Sequence, residues 1–456
     1  MKTMTLKFGI ALTILLGIIS TSSFSQKIKI WEWANNIKGT NKNFTYALIT
    51  DKNGVNYVAG SFTDTLKVGN IKLISKGSYD IYLIKYDSDG DLLWAKQVGG
   101  TDSDEAFGLA VDESGNIFMT GYFSGTINFS GVKIKSSGDK DFFVTKFDKN
   151  GEPIWIKQGG GTLEDYATAI ATDKNGNVFI TGIFNGAIKI GNSSYISKGN
   201  KDIFIIKYNN NGEIIWSTTG GGSLVDESTS IVTDQNGNCY ITGDFEGTAE
   251  FNKKFIESAG KKDVFIAKYN NDGNIQWLKR GGSATGDDHA SAIALDSLDN
   301  IYLTGYFSGL ANFGSTDLKN MGSDDIFLAK YNSNGEEIWA KQTGGKGDEH
   351  ARALKLDKEG NIYVAGEFNV DFTFAENKIK NVGAWDIFIL KYSNTGAMVG
   401  GTQIGGTGYD KAFGIGLDGK SNIYIVGYFS KAISIGYINL TSIDADDSFI
   451  AKLKSF

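Results

Sequence analysis

Seven times along this 456-residue chain an Asp is followed five residues later by a Lys, with an aromatic between them. The aspartates are Asp80, Asp141, Asp202, Asp263, Asp325, Asp386 and Asp447, and the lysines are Lys85, Lys146, Lys207, Lys268, Lys330, Lys391 and Lys452. A spacing of 61 or 62 residues held this regularly means one supersecondary unit copied around or along an axis. Other positions keep the same beat. A second Asp recurs at Asp51, Asp112, Asp173, Asp234, Asp296, Asp357 and Asp418, just ahead of a turn such as Gly115-Asn116. A Gly-x-Phe then follows, ending at Phe62, Phe123, Phe184, Phe245, Phe307, Phe368 and Phe429. Trp recurs at Trp33, Trp94, Trp155, Trp216, Trp277 and Trp339, with Gly400 in the seventh place.

One copy reads as four short strands, at residues 107–111, 117–123, 141–147 and 152–158, separated by Gly, Asn and Asp corners where positive φ or an Asx turn is needed. Residues 124–140 carry two further apolar patterns that predict a small extra hairpin. Four strands per unit, seven units and one proline, Pro153, predict an all-β, seven-bladed β-propeller with four antiparallel strands per blade. The first strand supports this. Six and four residues before its closing Asp the side chain is always small, as at Ala106 and Gly108 or Ala290 and Ala292, which suits strands crowded around an axis. Three before the Asp stands Leu or Ile (Leu48, Leu109, Ile170, Ile231, Ile293, Leu354, Ile415), expected to pack between blades.

The seventh unit ends after its third strand, while residues 27–37, containing Trp33, match a fourth strand. An N-terminal strand is therefore expected to complete the last blade and remove an exposed edge. Ahead of it, Lys2 and Lys7 flank an apolar run at residues 8–19, and Ser23-Phe24-Ser25 precedes Gln26. That pattern predicts a signal peptide over residues 1–25 and a single mature domain over 26–456, periplasmic or extracellular. The run is short for a membrane span, and no transmembrane segment is expected after cleavage. A lone Cys239 rules out a disulfide framework. A net charge of −7 argues against a nucleic-acid partner, and a monomer is expected.

The Asp-x-x-Gly-Asn turn, the Gly-x-Phe, the Asp-x-Phe-x-x-Lys-Tyr strand and the Gly-x-x-x-Trp strand followed by Gly-Gly together resemble the SBBP family, the seven-bladed β-propeller repeat of bacterial exported proteins. The resemblance covers residues 27–456 and implies a scaffold with no common reaction. The Gly212 to Trp216 corner also looks like the quinoprotein propeller repeat, without a match to a quinone pocket.

Most charged motifs recur in every unit and read as scaffold. Asp87 to Asp91 has calcium-loop spacing but is expected to be a hairpin turn, and the repeated strand Lys with the turn Asp is expected to form a structural salt bridge. What differs between units is more informative. Seven residues before the turn Asp stand Phe44, Glu105, Tyr166, Glu227, His289, His350 and Lys411, each preceded by an acid or, once, by Asn43. The chain's two histidines thus occupy equivalent loops of consecutive units beside Asp288 and Glu349. Asp288, His289, Glu349 and His350 are a candidate set for a divalent metal, and with Trp385 as a stacking surface they form the candidate ligand site on the loop face around the axial opening. No catalytic residue and no other cofactor is assigned. The expected function is a binding or assembly module in the cell envelope or outside the cell, with a protein or glycan partner. Alternatives are a metal-assisted hydrolase or lyase using the acidic and His loops, and a purely structural surface protein.

Overall fold

The computed structural model describes residues 31–374 and 377–455. The predicted signal peptide and residues 27–30 of the predicted N-terminal strand lie outside the described residues. The fold is all-β: no helix occurs among the described residues, and none is long and apolar enough to cross a membrane.

The unit expected from the sequence is present as an antiparallel meander. Asp104–Val111 pairs with Ile117–Phe123, which pairs with Asp141–Phe147, which pairs with Pro153–Gly161. The same order recurs in the other units. The extra hairpin is also present, as Thr126–Phe129 and Val132–Lys135, but its role is not apparent from the periodicity. It pairs with the end of the preceding unit's fourth strand, Ile127 with Gly100 and Asn128 with Gly99, and so stitches neighbouring units together. The N-terminal strand Trp31–Gly39 takes the place of a fourth strand. It pairs along Ile438–Leu453, with Ala34 opposite Ala451, and its end joins the first unit's hairpin through Lys38 and Lys67.

Each first strand lies against the first strand of the next unit, and Asp410–Leu417 lies against Asn43–Thr50. The recurrent Leu or Ile packs in these seams as expected. Leu48, for example, joins Val58 and Tyr82 of its own unit to Tyr424, Val426 and Ile450 of the last. The second and third strands read as continuous buried runs because both faces are covered, and the strand aromatics Phe143, Phe204, Phe265, Phe327, Phe388 and Phe449 are wholly buried.

The recurrent Trp and Lys join units at the outer end. Trp216 is half-buried. Its indole N–H donates to Asn271 O at 3.0 Å, and its ring covers Gly273 in the next unit's turn, where a Cβ would lie 2.8 Å from the ring and φ is +82°. Trp33, Trp155 and Trp277 donate in the same way to Ser88, Asn210 and Ser333. The recurrent Lys reaches the same turn, Lys207 Nζ donating to Asn271 O at 3.2 Å, and stands over an aromatic of its own unit, as Lys268 stands 4.9 Å from the Tyr240 ring. The expected salt bridge with the turn Asp comes within 4 Å in the pairs Lys146–Asp112 and Lys330–Asp296, at 3.9 and 3.8 Å. In these units and the others the turn Asp serves its own backbone: Asp112 Oδ1 accepts from the N–H groups of Ser114 and Asn116, and Asp51 Oδ1 from those of Asn53 and Val55. Asp87 does the same for Asp89 and Asp91, the hairpin turn expected of that motif.

Candidate functional site

The loops that enter the first strands are set by buried acids. Each fourth strand ends in small residues, and a few residues later a carboxylate reaches back to cap that end. Asp104, Asp226 and Glu349 accept from the N–H groups of Gly100, Gly222 and Gly345 at 2.7, 2.6 and 2.6 Å, and Asp288 accepts from Ser283 N at 2.5 Å. Burial pushes these carboxyls up, to about 7 for Asp226 and Asp288 and about 8 for Asp104 and Glu349, and the neighbouring buried strand Asp adds repulsion. Asp288 and Glu349 are therefore loop caps turned into the protein. They do not join the imidazoles.

The histidines, one residue later on the pleat, point the other way and meet a different set of partners. His289 stands opposite Tyr306 and His350 opposite Glu367 across the first and second strands. His289 Nδ1 is hydrogen-bonded to Asp244, and its ring stacks on Tyr306 at 5.0 Å between centroids. Tyr306 also meets His350 at 4.1 Å, and His350 meets Trp385 at 5.3 Å. Lys411 Nζ ends the row, 5.1 Å from the Trp385 ring. His350 Nε2 bonds Asp324 at 3.0 Å. Behind it the wholly buried Glu367 accepts from Arg352 Nε at 2.9 Å and lies 3.7 Å from both His350 Nδ1 and Lys411 Nζ. Burial works against ionisation of Glu367, yet Arg352, His350 and Lys411 together hold its carboxyl below the ordinary value. Burial likewise opposes a charge on His350, but Asp324 and Glu367 raise its pKa.

Of the predicted residues, His289, His350 and Trp385 thus belong to one row, with Tyr306 between the imidazoles. Among the described residues no group of three or more His, Cys, Asp or Glu side chains is arranged to hold a metal ion. The predicted quartet of Asp288, His289, Glu349 and His350 is not gathered, because adjacent residues on a strand face opposite sides. Asp244, Tyr306 and Glu367 were not singled out from the sequence. They occupy the middle of Gly-x-Phe, a position that varies through Ser61, Tyr122, Ile183, Asp244, Tyr306, Glu367 and Tyr428, and that variation inside a fixed motif is the signal that marks them.

The opposite side of the opening is aromatic. Tyr166, Phe107, Tyr46, Phe413, Tyr428, Phe44 and Tyr79 touch in succession, with centroid distances of 6.3, 5.3, 5.8, 5.8, 5.1 and 6.4 Å. All seven are half-buried. Tyr122 lies behind them, its hydroxyl donating to Glu105 at 2.5 Å. Between the two sides runs an axial channel of about 310 Å³ whose wall comes from all seven first strands, with Tyr46, Phe107, Arg352 and Phe413 among the lining side chains.

Residues 93–125 and 154–182 match the SBBP family, described as a β-propeller repeat. Each match runs from a fourth strand through the next unit's first strand and into or through its second. Among curated proteins, an uncharacterized WD repeat-containing protein of Acanthamoeba polyphaga mimivirus is 25% identical over 443 residues, covering 77% of this chain and 32% of its own. The regulatory protein FlaEY of Caulobacter vibrioides is 36% identical over 111 residues, covering 24% of this chain and 12% of its own. The chain therefore spans a third or less of the length of these relatives. Among solved structures, the Pan2 WD40 domain of Neurospora crassa aligns with a TM-score of 0.46 at 9% identity, covering 90% of each chain. An ulvan lyase of a polysaccharide lyase family aligns with a TM-score of 0.45 at 11% identity, covering 87% of this chain and 92% of that one. At these two segments, each spanning the junction of two units, the chain matches the SBBP β-propeller repeat.

Proposed function

We propose that this protein is an exported, single-domain, seven-bladed β-propeller that works as a binding or assembly module through the face bearing His289 and Tyr46. The observation that carries the reading is where the units differ. Their turns, Gly-x-Phe ends, Trp clamps and buried acids repeat, whereas the side chains around the axial opening change from unit to unit. A repeated scaffold leaves such positions free for recognition. Here they form an aromatic side, Tyr166 to Tyr79, facing a row of ion-paired and stacked side chains, His289 to Lys411. Half-buried Tyr and Trp rings in such a setting provide large contact area at little entropic cost.

A closed ring of seven blades is supported by the unbroken sequence of first-strand contacts and by the N-terminal strand paired with Ile438–Leu453. Export to the periplasm or the outside rests on the N-terminal sequence pattern, with a protein or glycan of the envelope as the partner class. N-terminal sequencing of the secreted product tests it, a start at Gln26 being expected. The binding reading is tested on peptide and glycan arrays probed with the mature monomer, the Tyr46→Ala/Phe107→Ala/Phe413→Ala variant and a variant of the opposite turn face, Lys358→Ala. Loss of array binding in the first variant alone is expected. Loss only in the turn-face variant would overturn the assignment of the face.

A further inference from the structure

The axial channel holds a charge that no described residue answers. Its wall carries no carboxylate, and its charged side chains are Arg352 and Lys355. Arg352 is neutralised by Glu367, 2.8 Å from its guanidinium. The Lys355 side chain makes no hydrogen bond or ion pair with any described residue. The scaffold does not require a lysine there, because the equivalent positions in the other units are Ile49, Ala110, Ala171, Val232, Ala294 and Gly416. Ile49, Val232 and the recurrent Leu and Ile of all seven first strands line the same channel and make its wall largely apolar. Lys355 is half-buried, and desolvation lowers its pKa, the direction expected of a cation held without a counter-charge.

A second group in the same channel lacks a partner. Ser291, on the neighbouring first strand, lines the channel, and its hydroxyl is buried with no hydrogen bond among the described residues. Unmade hydrogen bonds and unpaired charges in such surroundings are unfavourable, and a ligand supplying the missing acceptor removes both penalties. The volume, about 310 Å³, is at the lower end for ligand pockets, which start at roughly 300 Å³, so the occupant is small.

We propose that the axial channel is a binding site for a small oxyanion, a carboxylate or phosphate group, with the Lys355 ammonium as its counter-charge and the Ser291 hydroxyl as a further donor. This site lies inside the channel and stands independently of the reading of the loop face.

The test is thermal unfolding and titration calorimetry of the full mature protein at pH 7 with sodium phosphate, acetate or succinate, each against sodium chloride at equal ionic strength. A saturable rise in Tm and measurable heat are expected with at least one oxyanion. Phosphate alone would identify a phosphate group as the ligand chemistry, and acetate or succinate alone a carboxylate. Lys355→Ala, which installs the residue of three other units, is expected to abolish the response and, in chloride, to melt at or above the wild-type temperature. Ser291→Ala is expected to weaken binding several-fold. An unchanged wild-type Tm in all three oxyanions, or a full response retained by Lys355→Ala, would overturn the proposal. So would a Lys355→Ala variant that melts well below wild type in chloride, since the lysine would then be structural; Lys355→Met, which keeps the aliphatic stem, checks that outcome against simple loss of packing.

Discussion

Replacing Asp226 by Asn is expected to make this protein more stable, by about 4 kcal/mol at pH 8 and by only about 1 to 2 kcal/mol at pH 5. Asp226 is wholly buried, its Oδ2 accepts from Gly222 N at 2.6 Å, and its Oδ1 has no hydrogen-bond partner. Burial, reinforced by the neighbouring Asp202, pushes its pKa from 3.8 to about 7. The folded state therefore favours the protonated form. That contribution is fully present below the unfolded pKa near 4 and is lost as pH rises through 7. Full ionisation of a carboxyl shifted this far costs about 4 kcal/mol, of which about 2 to 3 kcal/mol falls between pH 5 and 8. Asn keeps the acceptor for Gly222 and cannot ionise. The corresponding residue of the first unit is already Asn43, whose Nδ2 donates to the strand carboxylate of Asp447 at 3.0 Å. The assay is urea unfolding of both proteins at pH 5, 6, 7 and 8. Wild-type stability should fall across this range, the more so because Asp104, Asp165, Asp288, Glu349 and Asp410 are raised in the same direction. The variant's advantage should grow with pH. A wild-type stability that stays flat or rises from pH 5 to 8, or a variant equally destabilised at both ends, would refute the reasoning.

Trp216→Ala should cost about 2 kcal/mol, less than a full core cavity because the ring is half-buried, and an unchanged urea midpoint would remove the clamp onto Gly273 from the account. Arg352→Ala leaves Glu367 buried without its closest cation and should cost about 3 kcal/mol; Arg352→Ala combined with Glu367→Gln should recover much of that loss in the same unfolding assay. His350→Ala should destabilise more at pH 5.5 than at pH 8. Its pKa is raised in the fold, so its contribution is present below the ordinary histidine value and is lost as pH rises through the folded one; equal effects at both pH values would contradict the Asp324 and Glu367 pairing. Deleting residues 31–39 removes the strand paired with Ile438–Leu453 and should give an insoluble or strongly destabilised product, whereas wild-type melting would show that the last unit does not depend on it.

Much of the architecture was legible because it is periodic. A unit copied at a fixed spacing exposes its strands, turns and taper to simple comparison, and the strand boundaries around Ile117–Phe123 and Asp141–Phe147 follow from alternation and turn chemistry alone. The extra hairpin was also visible, though not its attachment to the preceding unit, since pairing between distant segments leaves no mark in local pattern. The same limit applies to Trp216 and Lys207, whose partners lie in the next unit's turn.

Variation between copies drew attention to the loops of His289 and His350, and His289, His350 and Trp385 share one row of contacts. Sequence neighbours proved the wrong guide to which side chains meet. Asp288 and Glu349 adjoin the histidines in the chain but face the other side of the pleat, while Asp244, Tyr306 and Glu367 come from paired strands and from the adjoining unit. The sequence alone determined the repeat, the strands and the loops that carry variation, because those are matters of local pattern. Which charges pair, which rings stack and which lysine is left alone in the channel were decided by tertiary structure, because they depend on first strands from every unit converging on a common axis.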